Sequence, residues 1–307
     1  MCHVGDVGTL VRPGRLICLL RFSGFELATE SSNLTFPRLY VHNNGFENTS
    51  QGPWSQNIVL PHLRTASCVP GTYTDLPMKR YLTPELMDDP ALDPDEHRRA
   101  LGGLARLNRI SSAGRSPWRG MADLVRGSNR TLSVLDVATG SGDVPIAFAR
   151  RAKAEGLELD LHGCDLSDVA LSQASQRAHE AGLSMTCFQH DILAASPPET
   201  YDVVTCNLFA HHLDDDGVCL LLRNMAHVAR RRVLLCDLRR DRIGLGLAWV
   251  FSRLLTRSNV VHVDAIKSVR AAWTPEEMRG LATRAGLENA SISCCFPRRM
   301  MLSWEPS

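Results

Sequence analysis

The chain has 307 residues, enough for one large domain with an appendage or for two small domains. Lys plus Arg total 34 against 33 Asp plus Glu, so a net charge of +1 leaves no global field to favour nucleic acid or an anionic membrane. No apolar run reaches the ~18 to 20 residues of a membrane span, no secretory leader is visible, and the 10 cysteines show no zinc-type spacing. These features predict a cytoplasmic protein with reduced thiols, no metal ligand set and a small-molecule partner.

In chain order, residues 1–77 mix Gly, Asn, Ser, Thr and Pro with short apolar scraps and carry no sustained helical or strand period. They read as a disordered extension, or as an upstream in-frame translation ahead of a natural start at Met78. From Met78 the texture changes, and Pro94 to Ile110 is a predicted helix with Leu101, Leu104 and Leu107 on one stripe. Residues 78–130 are thus expected to form a helical cover over the domain that follows.

From Thr131 strand and helix signals alternate, the pattern of a doubly wound parallel sheet. Strands are expected at 133–138, 157–164, 185–190, 201–207 and 232–237, with helices at 143–154, 167–181 and 217–229 between them. Thr274-Pro-Glu-Glu277 is a capping box that opens a helix ending at Gly286. Two last strands, Ala290 to Cys295 and Arg299 to Trp304, are placed to pair as a hairpin.

The strand Leu135-Asp136-Val137 runs into Ala138-Thr139-Gly140-Ser141-Gly142-Asp143, a turn of small residues that opens a helix. Such a turn lets a ligand approach the backbone and offers it unpaired N–H groups. An ordinary tight strand-to-helix turn has the same composition. A dinucleotide site would want a third glycine where Pro145 stands, and Asp136 would repel a pyrophosphate but attract a cationic sulfonium and amino group.

Roughly twenty residues past a glycine loop is where a carboxylate meets both ribose hydroxyls, and there stands Asp165 at the end of the second strand, in Gly163-Cys-Asp165-Leu166-Ser167. Asp191 and Ile192 follow the third strand, where a side-chain acceptor and adjoining backbone can read an adenine edge. Asp136, Asp165 and Asp191 therefore close the first three strands in order.

This ordered set resembles the class I S-adenosylmethionine-dependent methyltransferases, in particular the small-molecule branch that includes quinone and polyketide-type enzymes. The resemblance covers roughly residues 130–304, with Ala138 standing where the commonest pattern has its first glycine. It implies a Rossmann-like seven-stranded sheet with a C-terminal antiparallel hairpin and S-adenosylmethionine as cofactor. By position it implies that Asp136, Ala138, Thr139 and Gly140 to Gly142, Ser141 among them, border the methionine moiety. It assigns Asp165 with Leu166 to the ribose, Asp191 with Ile192 to the adenine, and Asn207 to the same pocket.

After the fourth strand comes Asn207-Leu-Phe-Ala-His211-His212-Leu-Asp214, where the resemblance places the reacting centre. The Asn-Pro-Pro-Tyr pattern of base-modifying enzymes is absent, which argues against nucleic acid. His211 or His212 is a candidate base for a phenol or an enolisable carbon, or else a wall residue beside a helix start. Residues 238–273 form an insertion with an apolar run, Ile243 to Phe251, then His262, Asp264 and Arg270. This suits a lid over a flat hydrophobic acceptor, a helix buried on the sheet, or a membrane-surface element.

The expected activity is methylation of oxygen or carbon on a small aromatic, polyketide-like or quinone-like molecule. The competing readings are a nicotinamide-dependent oxidoreductase on a similar fold and a non-catalytic S-adenosylmethionine-binding module.

Overall fold

The computed structural model describes strand segments at 7–12, 15–22, 25–31 and 38–43, and residues 78–306 apart from 90 and 112. Residues 1–62 and 63–307 form separate compact units.

In the first unit, β1 (Val7–Arg12), β2 (Arg15–Phe22), β3 (Phe25–Ser31) and β4 (Arg38–Asn43) pair in chain order as an antiparallel meander. Sequence periodicity assigned no element here, because each strand is a short run bounded by Gly, Pro or Asn. The rest of residues 1–77 lies outside the described segments.

The second unit holds a seven-stranded sheet in the order β10-β11-β9-β8-β5-β6-β7. Its strands are β5 (Leu132–Val137), β6 (Leu159–Asp165), β7 (Thr186–Gln189), β8 (Tyr201–Asn207), β9 (Ala229–Leu238), β10 (Ser291–Cys295) and β11 (Arg299–Trp304). The first five pair in parallel, while β11 runs antiparallel to both β9 and β10. The expected Rossmann-like sheet with its antiparallel end is therefore present. Parallel neighbours require crossovers, and the helices supply them.

Alternation along β5 divides the core between two faces. Leu132 and Val134 pack with Trp118, Met121, Val125 and Phe148, whereas Leu135 and Val137 pack with Leu222, Met225, Met278 and Leu281. The first face is covered by α2 (Arg115–Arg126), α3 (Asp143–Ala154) and α4 (Asp168–Glu180), and the second by α5 (Asp215–Val228) and α8 (Pro275–Arg284). Fully burying each large apolar side chain contributes about 1.5–3 kcal/mol. Ser167 caps α4 and the Thr274/Glu277 box caps α8, as their sequences prescribe.

Two helices escaped the sequence reading. α2 carries Pro117 and Gly120, which break its helical signature, yet it buries one apolar face on the sheet and so belongs to the sandwich rather than to a cover. α7 (Asn259–Ala271) begins with the β-branched residues Val260, Val261 and Val263. It packs with α6 (Arg242–Leu255) and α1 (Pro94–Ile110), and Ala100, Val260 and Val261 make a small separate core with Met87, Leu92, Leu104 and Leu107. Among the described residues no helix is long and apolar enough to cross a membrane.

Candidate active site

The carboxyl ends of β5, β6 and β8 converge on the loop after β5. Ala138, Gly140 and Gly142 all have positive φ, at 51°, 53° and 76°, so three of five consecutive residues are left-handed. The turn is held from both sides. Thr139 N donates to Cys164 O at 3.0 Å, and Gly140 N donates to Asp165 Oδ2 at 2.8 Å. The other Asp165 oxygen accepts Ser167 N at 3.0 Å. Arg177 ties Ser141 Oγ and Asp143 Oδ1 to α4, each at 2.8 Å. A Cβ built on Gly140 meets no atom within 4 Å, so this face of the loop opens onto free space rather than onto packed protein.

Asp136 lies below that loop and is 2% exposed. Its carboxylate accepts Thr205 Oγ1 at 2.6 Å, Asn207 Nδ2 at 2.7 Å and Thr139 Oγ1 at 2.9 Å. Burial pushes its pKa up to about 6, against the pull of those three hydrogen bonds. Asp136 thus fastens β5, β8 and the loop together. Asp191 Oδ1 accepts Leu193 N at 2.9 Å. Ile192 turns its side chain into the core, and Leu166 is 62% exposed at the rim.

A second cluster forms beyond β8. Ala210–His212 is a single 3-10 turn, with Asp237 of β9 beneath it. Asp237 Oδ1 accepts His211 Nδ1 at 2.7 Å and its Oδ2 accepts His211 N at 2.9 Å. The His211 and His212 rings lie 4.3 Å apart between centroids. From the segment before α1, Glu85 Oε1 comes within 3.8 Å of His211 Nε2.

Burial opposes charge on His211, yet Asp237 first and then Glu85 outweigh it and raise its pKa. Burial likewise opposes ionisation of Asp237, and the His211 charge with its hydrogen bonds keeps that carboxyl below its ordinary value. For His212 burial and the neighbouring His211 act together and lower it to about 4, so its imidazole is neutral near pH 7.

The segment carrying Glu85 is anchored along its length. Arg80 donates to Ala271 O and Leu213 O, each at 2.6 Å, and its guanidinium lies 3.5 Å from the Trp273 ring centroid. Leu86 N and Met87 N donate to the Asp264 carboxylate, and Lys267 Nζ donates to Pro84 O. Asp237, Glu85, Arg80 and Thr205 went unnoticed in the sequence. Asp237 alone had a signal, an acid ending an apolar strand as Asp136 does; Glu85 reaches the site only through tertiary folding.

A mostly parallel seven-stranded sheet with a small-residue loop and an acid after its second strand defines a Rossmann-like methyltransferase architecture. Residues 134–232 match the family model described as a methyltransferase domain. Over 102 residues the chain is 34% identical to the demethylmenaquinone methyltransferase of Deinococcus radiodurans, covering 33% of this chain and 41% of that protein. Over 85 residues it is 34% identical to a ubiquinone biosynthesis O-methyltransferase of Burkholderia cenocepacia, covering 27% and 34%. The chain therefore spans well under half the length of these curated relatives. The plantazolicin methyltransferase BpumL, solved in complex with SAH, has a similar fold with a TM-score of 0.51 at 16% identity, covering 69% of this chain and 90% of that one. The chain thus carries a methyltransferase domain over residues 134–232, of a kind that uses S-adenosylmethionine.

The open face at Gly140 and the Asp165 carboxylate beside it fit this cofactor. Asp165 Oδ2 keeps a lone pair beyond the bond from Gly140 N, and Oδ1 one beyond the bond from Ser167 N, so the carboxylate can accept two further donors. When bound, S-adenosylmethionine supplies an electrophilic methyl on a sulfonium leaving group.

Proposed function

We propose that the chain transfers a methyl group to oxygen or carbon of a small aromatic, polyketide-like or quinone-like acceptor. The observation that carries this reading is the meeting of Glu85, His211 and Asp237 at the carboxyl ends of the parallel strands, with His211 four residues beyond Asn207, the β8 residue that touches Asp136. Open α/β sheets bind their ligands in that crevice. The names of the Deinococcus and Burkholderia relatives favour a quinone-like acceptor.

In this reading Asp165 and the Gly140 loop hold the cofactor, and Asp136 keeps the loop and Asn207 in register. The His211/His212 pair faces the acceptor and draws off its proton. Asp237 is a positioning residue that fixes the His211 ring. Displacement at a methyl carbon needs chiefly alignment and exclusion of water, and α1, α6, α7 and the Glu85 segment are the elements suited to cover the reactants. Asp136 and Pro145 weigh against a nicotinamide site.

The test is calorimetry with S-adenosylmethionine followed by transfer of labelled methyl groups to a panel of phenols, naphthols and quinols. Binding with turnover on a member of the panel is the expected outcome. Tight binding with no labelled product across a broad panel would favour the non-catalytic module, and preference for a nicotinamide cofactor would overturn the reading.

A further inference from the structure

We propose that Glu85, His211 and His212 form a binding site for a divalent first-row transition-metal ion, a ligand set the sequence alone did not reveal. The carboxylate and the two imidazoles each offer a ligand atom, and these atoms lie within 4.8 Å of one another. Metal bonds of ~2.0–2.2 Å place neighbouring ligand atoms roughly 3–3.5 Å apart, so small side-chain rotations close the set on an ion. The 3.8 Å between Glu85 Oε1 and His211 Nε2 exceeds a hydrogen bond, so the two are near without being directly bonded.

The surrounding groups are those a metal site needs. A ligating histidine normally donates its other ring N–H to a carboxylate, and His211 does so to Asp237, presenting Nε2 toward Glu85. A ligating carboxylate is itself usually hydrogen-bonded, and Glu85 Oε1 accepts from Ser268 Oγ. Glu85 is also fixed through its backbone neighbours, since Pro84 O, Leu86 N and Met87 N are all bonded to α7. Two imidazoles and one carboxylate with further positions open favour a borderline ion such as Zn2+, Fe2+, Mn2+ or Co2+ over Mg2+ or Ca2+, which take oxygen ligands.

Binding at His211 exchanges the Nε2 proton, where present, for the metal and releases it to solvent. The use of the ion rests on the methyl-transfer reading. With the ion bound, His211 and His212 serve as its ligands in place of the base: an acceptor oxygen would take an open position on the ion, and its O–H bond would break with the electron pair kept on oxygen and the proton passing to water. Acceptors with two adjacent oxygens, such as catechols or hydroxyquinones, would chelate and be preferred.

The test uses the full chain, stripped with a chelator and titrated with Co2+. Expected are a saturable visible d–d band and, from X-ray absorption of the wild-type complex, two imidazole nitrogens with oxygen in the remaining shell. Both Glu85→Gln and His212→Ala should lower Co2+ affinity by tenfold or more, while His227→Ala, an exposed position on α5, should not change it. No wild-type binding at millimolar Co2+ or Zn2+, fewer than two imidazoles in the wild-type complex, or unchanged affinity in both site variants overturns the proposal. Calorimetry with S-adenosylmethionine on the same wild-type sample separates the two readings: cofactor binding without metal binding removes only the metal site, and metal binding without cofactor binding removes only the methyl-transfer reading.

Discussion

Asp237 grips His211 twice, through Nδ1 at 2.7 Å and through the backbone N at 2.9 Å, so one buried carboxylate sets both the ring and the chain direction after β8. Replacing it with Asn turns one acceptor into a donor facing an N–H. Asp237→Asn should cost about 1–3 kcal/mol of stability and reduce methyl transfer more than cofactor binding. Denaturant unfolding and calorimetry with S-adenosylmethionine check the two parts, and a variant of wild-type stability would deny the two hydrogen bonds their role.

The same pair predicts a pH window. The folded pKa of His211 is raised, so its contribution is complete below the unfolded histidine value and is lost as pH rises through the folded value. The folded pKa of Asp237 is lowered, so its contribution is present above the unfolded carboxylate value and is lost as pH falls. The pair therefore stabilises most between those limits. NMR titration of His211 should shift downward in Asp237→Asn, because burial then opposes the charge with only Glu85 left against it, and an unmoved titration would contradict the coupling.

A second acid reports separately. Asp202 is 0% exposed and accepts Arg130 Nη1 at 2.8 Å, Ser133 N at 3.0 Å and Ser133 Oγ at 3.2 Å. Burial opposes its charge, but these donors win and bring it down to about 2. Its folded value is below the unfolded one, so about 2 kcal/mol is present above pH ~4 and is lost progressively toward pH ~2. Urea unfolding across that range should show the fall in wild type and a flatter curve in Asp202→Asn. Parallel curves would mean the loss comes from other carboxylates.

Most strands of the sheet, the loop and the first acids were legible because each is a local signal, whereas the sheet's architecture came only from the family resemblance. Apolar runs of strand length end in small residues or Asp, and a helix cap follows within a few positions. The second cluster was only half legible. The sequence places His211 and His212 after the fourth strand, but nothing local joins them to Glu85, whose position depends on the packing of Met87 and Leu92 against Val260 and Val261. Helix α7 was hidden for a related reason: its β-branched start has a poor intrinsic propensity, and burial of Val260, Val261 and Val269 outweighs it.

The loop glycine gives a prediction that separates ligand space from folding. Gly140 has φ at 53° and open space where a Cβ would go, so Gly140→Val strains the backbone without striking protein atoms. A left-handed residue with a branched side chain costs of order 1–3 kcal/mol, which should leave the fold intact by circular dichroism. Cofactor binding should be abolished. Asp165→Ala should weaken binding by roughly 1.5–3 kcal/mol from lost charge-assisted hydrogen bonds, with an added loss because Gly140 N and Ser167 N also lose their acceptor. Retained wild-type affinity in either variant by calorimetry would dissociate this loop from the cofactor.

Truncation tests the amino-terminal boundary. A chain beginning at Met78 retains Arg80 with its bonds to Ala271 O and Leu213 O, Met78 O with its bond from Arg240 Nε, and Glu85. It should fold, bind S-adenosylmethionine and keep its activity. Limited proteolysis of the full chain should remove the segment before Met78 and leave a resistant core that binds the cofactor. Should that segment resist cleavage, and its removal precipitate the protein, residues 1–77 are part of the fold. Cutting on through Ile110 removes Glu85, Arg80 and the α1 side chains that pack on Val260 and Val261, yet leaves the sheet and both of its main core faces untouched. That shorter chain should stay folded, hold the cofactor more weakly and lose methyl transfer. Full activity from it would show that neither the α1 cover nor Glu85 takes part in the reaction.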